Sequence, residues 1–210
     1  MGYFPFFVDL RGKTGLIVGG GKVALRKIRS LLPYGPGLRV VAPEICPEIG
    51  EIQGLELCRR SFSPDDLEGC TFAIAATDDR EVNRTVAELC GKQGIPVNVA
   101  DKGGEGNFLF PSLVRQGSLS VGICTEGKYP IVSAYMKRRI EELVPENMDD
   151  ILEYLGEQRQ VLKEKISDTG LRNQALSRLC QACMESGTAL TPEKTREIIS
   201  MTEDGYENGE

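Results

Sequence analysis

The 210-residue sequence predicts an α/β protein organised around a parallel sheet. An apolar run at residues 15–18 stops at three consecutive glycines and is followed by a helical pattern. Apolar runs and helical patterns then alternate as far as residue 100, and polar clusters follow the predicted strands at residues 19–21, at 77–79 and at 101. This alternation is typical of a doubly wound parallel sheet, which binds ligands at the carboxyl ends of its strands.

The glycine turn is the most specific of these features. Gly19, Gly21 and Ala24 fit the G-x-G-x-x-G/A spacing of a Rossmann-like dinucleotide site. The first glycine permits a tight turn, the second lets the backbone approach a pyrophosphate, and the small third residue lets the helix pack on the strand. The phosphates would lie over the free N–H groups of Lys22 and Val23. A purely structural glycine turn is the alternative.

The remaining elements of the sheet domain follow from local patterns. Apolar residues recur at helical spacing over residues 22–32, and Pro33 ends that helix. The aromatic leader, residues 3–10, is expected to pack against the sheet. The later strands are short apolar runs bounded by turn residues, and they are expected at residues 38–42, 55–58, 70–76 and 94–100. A capped turn at 63–67 and a helix over 82–90 are expected between them.

The alternation of strand and helix breaks after residue 100. Two short strands, at 108–114 and 119–124, are separated by a tight turn that leaves no room for a crossover helix. We expect this hairpin to pair with a second copy of the chain; closing an edge within one subunit is the alternative. A helix over 130–144 and further helical segments follow. We expect a dinucleotide-binding domain at residues 1–112 and a strand-helix dimerisation region at 113–145. A C-terminal all-helical domain at 146–202 and a disordered acidic tail at 203–210 are expected to follow.

Composition excludes several classes of protein. The sequence contains no histidine, which removes the Ser-His-Asp triad, the Cys-His pair and imidazole metal sites together. Acid–base chemistry must then use carboxylates, lysine, tyrosine or thiols. No tyrosine has a lysine four residues later, which argues against a short-chain dehydrogenase. The net charge of −6 argues against nonspecific nucleic-acid binding, and the apolar runs are too short to cross a bilayer, so we expect a cytoplasmic protein.

Polar residues at the strand ends are the further cofactor candidates. Pro43 and Glu44 follow the second strand, where an acidic side chain usually accepts a hydrogen bond from the adenosine ribose. Glu44 would favour NAD over NADP; a solvent-facing loop charge is the alternative. Thr77 and Asp78 end the buried fourth strand and would lie beneath the nicotinamide half, although Thr77 could instead cap the strand.

Several stretches together resemble the precorrin-2 dehydrogenase family, which includes the dehydrogenase module of siroheme synthase. They are residues 3–10 with Phe-Pro-Phe-Phe, 18–24, 41–43, 75–79 with Asn83, and 98–101 leading to Asn107, Phe108 and Pro111. The resemblance implies a homodimer that oxidises precorrin-2 to sirohydrochlorin with NAD. Some members also insert ferrous iron, which would then be a second substrate. A separate uroporphyrinogen methyltransferase would supply precorrin-2. An NAD-sensing regulatory module without catalysis is the alternative function.

The resemblance also implies roles for individual residues. Asp101, at the end of the last parallel strand, would be the proton acceptor; its alternative is a turn or capping residue. Thr125 stands where relatives carry a serine near the active cleft. A tetrapyrrole with eight carboxylates would need a cationic rim, for which the alternative is a solvated helix face. The rim candidates are Arg115, Lys128, Lys137, Arg138 and Arg139.

Overall fold

The computed structural model describes residues 3–100 and 106–207 of the chain. These residues form two compact units divided between Phe110 and Pro111, and each unit is described by itself. The division lies two residues before the boundary expected from the sequence. Among the described residues, no helix combines the length and the apolar character that a membrane span requires.

The first unit is built on a five-stranded sheet in which every neighbouring pair is parallel. Its strands are β1 at Thr14–Val18, β2 at Gly37–Val41, β3 at Leu55–Cys58, β4 at Phe72–Ala75 and β5 at Val97–Val99. The strand order is β3-β2-β1-β4-β5, so the direction of winding reverses between β1 and β4. In sheets of this kind ligands bind beyond the carboxyl ends of the strands at the reversal. The predicted doubly wound sheet is therefore confirmed.

Helices cover both faces of this sheet. On one face α1, Lys22–Leu31, packs Ile28 against Ile17 and Ile74. On the other face α3, Arg80–Gln93, packs Val86 and Cys90 against Leu16. Neighbouring residues of β1 point to opposite faces because side chains alternate along a strand. A short helix after β2, α2 at Pro47–Gly50, was not predicted from the sequence.

The aromatic leader departs from the prediction. Tyr3, Phe4, Phe6, Phe7 and Val8 are each at least half exposed, so the expected packing of this segment against the sheet is wrong. The apolar residues that pack on the two faces of the sheet come largely from α1 and α3. Its last residue, Leu10, does pack against the α1 side of the core.

The second unit combines a hairpin with four helices. The strands β6, Ser112–Gln116, and β7, Leu119–Ile123, pair antiparallel as predicted. The last helix, α7 at Pro192–Glu207, includes residues 203–207 of the tail that is expected from the sequence to be disordered. That tail is therefore helical as far as the structure describes it. Leu162, Ile166, Ala175 and Leu179 form the buried centre of the helical part. The helices are α4 at Pro130–Leu143, α5 at Met148–Lys165, α6 at Thr169–Ser186 and α7 at Pro192–Glu207.

Candidate active site

The first two glycines of the turn lie between the ends of three strands. Gly19 has a φ of +128°, and a Cβ on it would overlap the backbone of Ala76, just past β4. Its N–H donates to the carbonyl of Val41, the last residue of β2, at 2.9 Å. A Cβ on Gly20 would overlap the backbone of Glu44. Neither position can hold a larger residue without moving the backbone that follows β4 or β2.

Gly21 differs from its two neighbours because the space beside it is open. It is the N-cap of α1, with an extended backbone and no side-chain cap, and a Cβ there would meet nothing within 4 Å. The fold itself therefore does not require a glycine at this position, whereas a ligand resting on the backbone would. The N–H groups of Lys22 and Val23 have no partner within the helix because they belong to its first turn. These features fit a dinucleotide pyrophosphate.

The loop after β2 borders the same turn. Pro43 and Glu44 are exposed, and the N–H of Cys46 donates to the carbonyl of Gly20 at 2.9 Å. The structure therefore brings Glu44 next to the glycine turn at the carboxyl end of β2. This is the location from which an acidic residue contacts the adenosine ribose in such folds.

Thr77, at the end of β4, is held by Asn83 of α3. The Oδ1 atom of Asn83 accepts from the Thr77 N–H at 3.1 Å and lies 2.8 Å from its hydroxyl, while Nδ2 donates to the Thr77 carbonyl at 2.9 Å. Asn83 is only 1% exposed. The geometry favours the alternative of a strand-ending cap for Thr77, because its hydroxyl already has protein partners. Asp78 is exposed beside it.

Asp101 lies outside the described residues, so its role as proton acceptor stays a prediction. The residue before it, Ala100, donates its N–H to the carbonyl of Ala75 at 2.8 Å. The chain therefore leaves β5 beside the end of β4. On the other side of the segment, Asn107 accepts from the Val97 N–H at 2.7 Å and donates its own N–H to the Val97 carbonyl at 2.9 Å. Both ends of the segment that contains Asp101 are thus attached to β4 or β5.

Asn98 of β5 is a further buried polar residue near this segment. Its Nδ2 donates to the carbonyl of Phe108 at 3.0 Å, while its buried Oδ1 has no hydrogen-bond partner among the described residues. A buried acceptor without a partner costs about 1–3 kcal/mol. The sequence singled out Asn98 only as part of the family motif, since nothing in its spacing distinguishes it from an ordinary strand residue.

The substrate-binding candidates of the second unit are mostly engaged with neighbouring residues. Lys128 pairs with Glu126 at 3.1 Å, Lys137 with Glu141 at 3.6 Å, and Arg139 with Glu142 at 2.6 Å. Such exposed pairs contribute about 0–1 kcal/mol each, so an anionic ligand could replace them at little cost. Arg115 and Arg138 are exposed, and the Thr125 hydroxyl donates to the Tyr129 carbonyl at 3.2 Å.

Metal binding by the thiols finds no support in the parts of the chain that the structure describes. Across residues 3–100 and 106–207 there is no group of three cysteine, aspartate or glutamate side chains that could hold a metal ion. Cys180 is exposed and Cys183 is buried, so the closest pair of cysteines in the sequence does not face one common environment. Burial raises the pKa of the Cys183 thiol, which favours its neutral form.

The fold and the open glycine turn define a dinucleotide-binding protein. Residues 6–112, about half of the chain, match the model of an NAD(P)-binding family. The chain belongs to this family. It is also similar to SirC, a precorrin-2 dehydrogenase of known structure, with a TM-score of 0.73 and 27% identity over 96% of this chain and 100% of that one. The predicted resemblance to the precorrin-2 dehydrogenase family is thereby confirmed.

Curated relatives agree with this assignment. The siroheme synthase of Thioalkalivibrio sulfidiphilus is 35% identical over 86% of this chain and 38% of its own length. The siroheme synthase of Stutzerimonas stutzeri is 41% identical over 69% of this chain and 32% of its own length. The chain therefore spans between about a third and two fifths of the length of these relatives.

Proposed function

We propose that this protein oxidises precorrin-2 to sirohydrochlorin with NAD, as a step of siroheme biosynthesis. The observation that supports this most directly is the open backbone at Gly21, at the reversal of the sheet, in a chain of which 96% is covered by the similarity to SirC. The regulatory alternative, an NAD sensor without catalysis, gains no support from these comparisons.

The roles of the site residues follow from their places at the sheet edge. When bound, NAD supplies the hydride acceptor. The N–H groups of Lys22 and Val23 bind its pyrophosphate, and Glu44 accepts a hydrogen bond from the adenosine ribose. Thr77, two residues after β4, is held by Asn83, and the exposed Asp78 beside it contacts the nicotinamide half.

Proton transfer is the second requirement of the reaction. Oxidation of precorrin-2 removes a hydride and a proton, so a base must accept the proton while the dinucleotide takes the hydride. Asp101 is the proposed base because the preceding residue, Ala100, is hydrogen-bonded to Ala75 at the end of β4. No imidazole competes for the role, since the chain contains no histidine.

The substrate contacts are proposed for the second unit. Thr125, Arg115, Lys128 and Lys137 bind the macrocycle, with the cations facing its carboxylates. Their weak ion pairs allow this exchange. Insertion of ferrous iron into the product stays a prediction, which an anaerobic assay with sirohydrochlorin and ferrous ion would test.

A homodimer is proposed on the exposed apolar side chains of α4. Ile131 is 85% exposed and Leu143 is 73% exposed in the single chain, and Tyr135 and Met136 are exposed between them. Apolar side chains clustered in this way mark protein interfaces. A cytoplasmic location and the supply of precorrin-2 by a separate methyltransferase stay predictions.

The proposed activity is tested by following NADH formation from NAD and precorrin-2 under anaerobic conditions. Wild type should form NADH, and Asp101→Asn should lose nearly all turnover while NAD binding, measured by calorimetry, persists. Tight NAD binding by wild type without turnover would contradict the enzyme and favour the sensor. Unimpaired turnover by Asp101→Asn would remove Asp101 from the mechanism.

A further inference from the structure

The helix that follows the glycine turn carries an unusual concentration of positive charge. Among its ten residues, Lys22–Leu31, α1 has four cations and no carboxylate. The first turns of α3, α5 and α7 contain Glu81, Asp149 with Asp150, and Glu193, respectively. An acid is favoured at a helix N-terminus, so a lysine at the first position of α1 is unfavourable unless an anion binds near it.

Three of these cations line one groove. Lys22, Arg26 and Arg29 follow one another at intervals of four and three residues, which places them along one side of α1. The groove has a volume of about 470 Å³, and its lining is completed by Leu25, Ser30 and Glu48. A volume of this size is ample for a phosphate group. The groove begins at Lys22, the residue next to the open Gly21.

Ion pairs with described residues do not neutralise the cations of this groove. Within the described ranges, no carboxylate lies within 4 Å of the charged nitrogens of Lys22, Arg26 or Arg29. On α3, by contrast, Arg84 pairs with both Glu81 and Glu88.

Glu48 of α2 is the acidic residue of the groove lining. Hydrogen bonds from its own backbone N–H and from the Cys46 side chain, together with the charges of Lys22 and Arg29, hold the pKa of this carboxyl below its usual value. The carboxylate is therefore ionised at neutral pH. The groove still keeps an excess of two positive charges, in a chain whose net charge is −6.

The groove lies on the side of the turn where the adenosine would bind. Glu48 belongs to α2, the first helix after β2, and the end of β2 is where the ribose of a dinucleotide lies in this type of fold. In NADP-binding members of such folds, an arginine near this position accommodates the 2′-phosphate. An arginine can also bind a phosphate through two parallel N–H donors.

We infer that this groove binds the 2′-phosphate of NADP through Arg26 and Arg29, so that the protein accepts NADP as well as NAD. The inference rests on the proposed function, whose cofactor site it extends. It also modifies the preference for NAD expected from Glu44. The carboxylates of Glu44 and Glu48 oppose the phosphate, whereas three cations attract it from α1.

Binding measurements test this inference without the tetrapyrrole. Calorimetry would compare NAD with NADP, and adenosine 2′,5′-bisphosphate with adenosine 5′-monophosphate, on wild type and on the double variant Arg26→Ala/Arg29→Ala. We expect wild type to bind each 2′-phosphorylated ligand at least as tightly as its partner. The double variant should bind the 2′-phosphorylated ligands about 10-fold to 100-fold more weakly, because it loses hydrogen bonds to a charged group. Its affinity for NAD should fall by less than about 3-fold.

The matched control removes one positive charge from another helix of the same unit. Arg84→Ala on α3 should leave all four affinities unchanged. The inference is overturned if wild type binds NADP more than about 10-fold more weakly than NAD, or if the double variant weakens NAD and NADP equally. These outcomes are distinct from failure of the proposed function, which would appear as dinucleotide binding without oxidation of precorrin-2.

Discussion

The ammonium of Lys27 lies over the aromatic ring of Phe110, with Nζ 3.8 Å from the ring centroid. Lys27 belongs to α1, and Phe110 is the last residue of the first unit. Burial, and then the charge of Arg26, lower the pKa of Lys27 to about 8. Among the described residues no carboxylate lies within 4 Å of this ammonium. The ring therefore offsets only part of the cost of burying the charge.

This arrangement predicts a pH dependence of stability. Because the folded pKa of Lys27 is below its unfolded value, the cost of the charge is fully present below pH 8. It is relieved as pH rises from about 8 to the unfolded value of 10.5, so stability increases over that interval. We expect Lys27→Met to be more stable than wild type at pH 7 by about 1–3 kcal/mol, with the difference shrinking by pH 10.

Urea unfolding of both proteins between pH 7 and pH 10 measures this difference. The raised pKa values of the Cys70 and Cys90 thiols act in the opposite direction, but they affect both proteins alike. A gap between the two proteins that stays constant from pH 7 to pH 10 would show that Lys27 does not titrate as described.

The glycine turn predicts opposite results for two similar substitutions. Gly19→Ala places a Cβ into the backbone of Ala76 at a positive φ, so it should lower the free energy of unfolding by at least about 2 kcal/mol. Gly21→Ala meets nothing in the protein, and because alanine is a poorer N-cap than glycine it should lower the free energy of unfolding by less than about 1 kcal/mol. It should nevertheless weaken dinucleotide binding about 10-fold or more, because the added methyl group occupies the path of the pyrophosphate.

Gly91→Ala on α3 is the matched control, since its Cβ would also meet nothing within 4 Å. It should leave dinucleotide binding unchanged and raise stability slightly, as alanine does in a helix. Denaturant unfolding and calorimetry with NAD check all three variants. If Gly21→Ala binds NAD like wild type, the turn does not carry the pyrophosphate.

The predictions from sequence succeeded where a local pattern determines the structure. The five parallel strands were found because each is a short, mostly apolar run bounded by turn residues, and α1 because its apolar residues recur at helical spacing. The prediction that the leader packs against the sheet was wrong because side chains such as Phe6 and Phe7 show only that the segment is apolar. Which faces of the sheet remain free depends on α1 and α3 together, which a local pattern does not contain.

The site was predictable to a similar extent. Gly19 and Gly21 have a spacing tied to one geometry, and that spacing located the turn. Thr77 and Lys137 could each have contacted a ligand or a protein group, and only the positions of Asn83 and Glu141 decide which partner each has here. The groove on α1 was missed because the sequence shows its cations but not their surroundings. Only the structure shows that Lys22, Arg26 and Arg29 have no ion pair with a described residue.

Asn83 is expected to support both stability and cofactor binding. Asn83→Ala leaves the N–H and carbonyl groups of Thr77 without their partners at the end of β4. Each unsatisfied buried group costs about 1–3 kcal/mol, so we expect a loss of about 2–4 kcal/mol and weaker NAD binding as the strand end loosens. Denaturant unfolding and calorimetry measure the two effects.

Thr85→Ala is a suitable control for this substitution. It removes an exposed hydroxyl of the same helix that donates to the Glu81 carbonyl, so it should change stability by less than about 0.5 kcal/mol. Equal losses for Asn83→Ala and Thr85→Ala would contradict the role assigned to Asn83.

The apolar side chains of α4 predict how the oligomeric state can be changed. Ile131 and Leu143 are largely exposed in the single chain, so Ile131→Asp/Leu143→Asp should not destabilise the monomer. A buried charge without a partner is costly, and we expect the dimer dissociation constant to rise at least about 100-fold.

Sedimentation velocity over a range of concentrations measures this dissociation constant, and circular dichroism verifies the helix content. Met201→Asp, at an exposed apolar residue of α7, should leave the dimer intact. A wild-type monomer, or a dimer unaffected by the α4 double variant, would show that α4 does not form the interface.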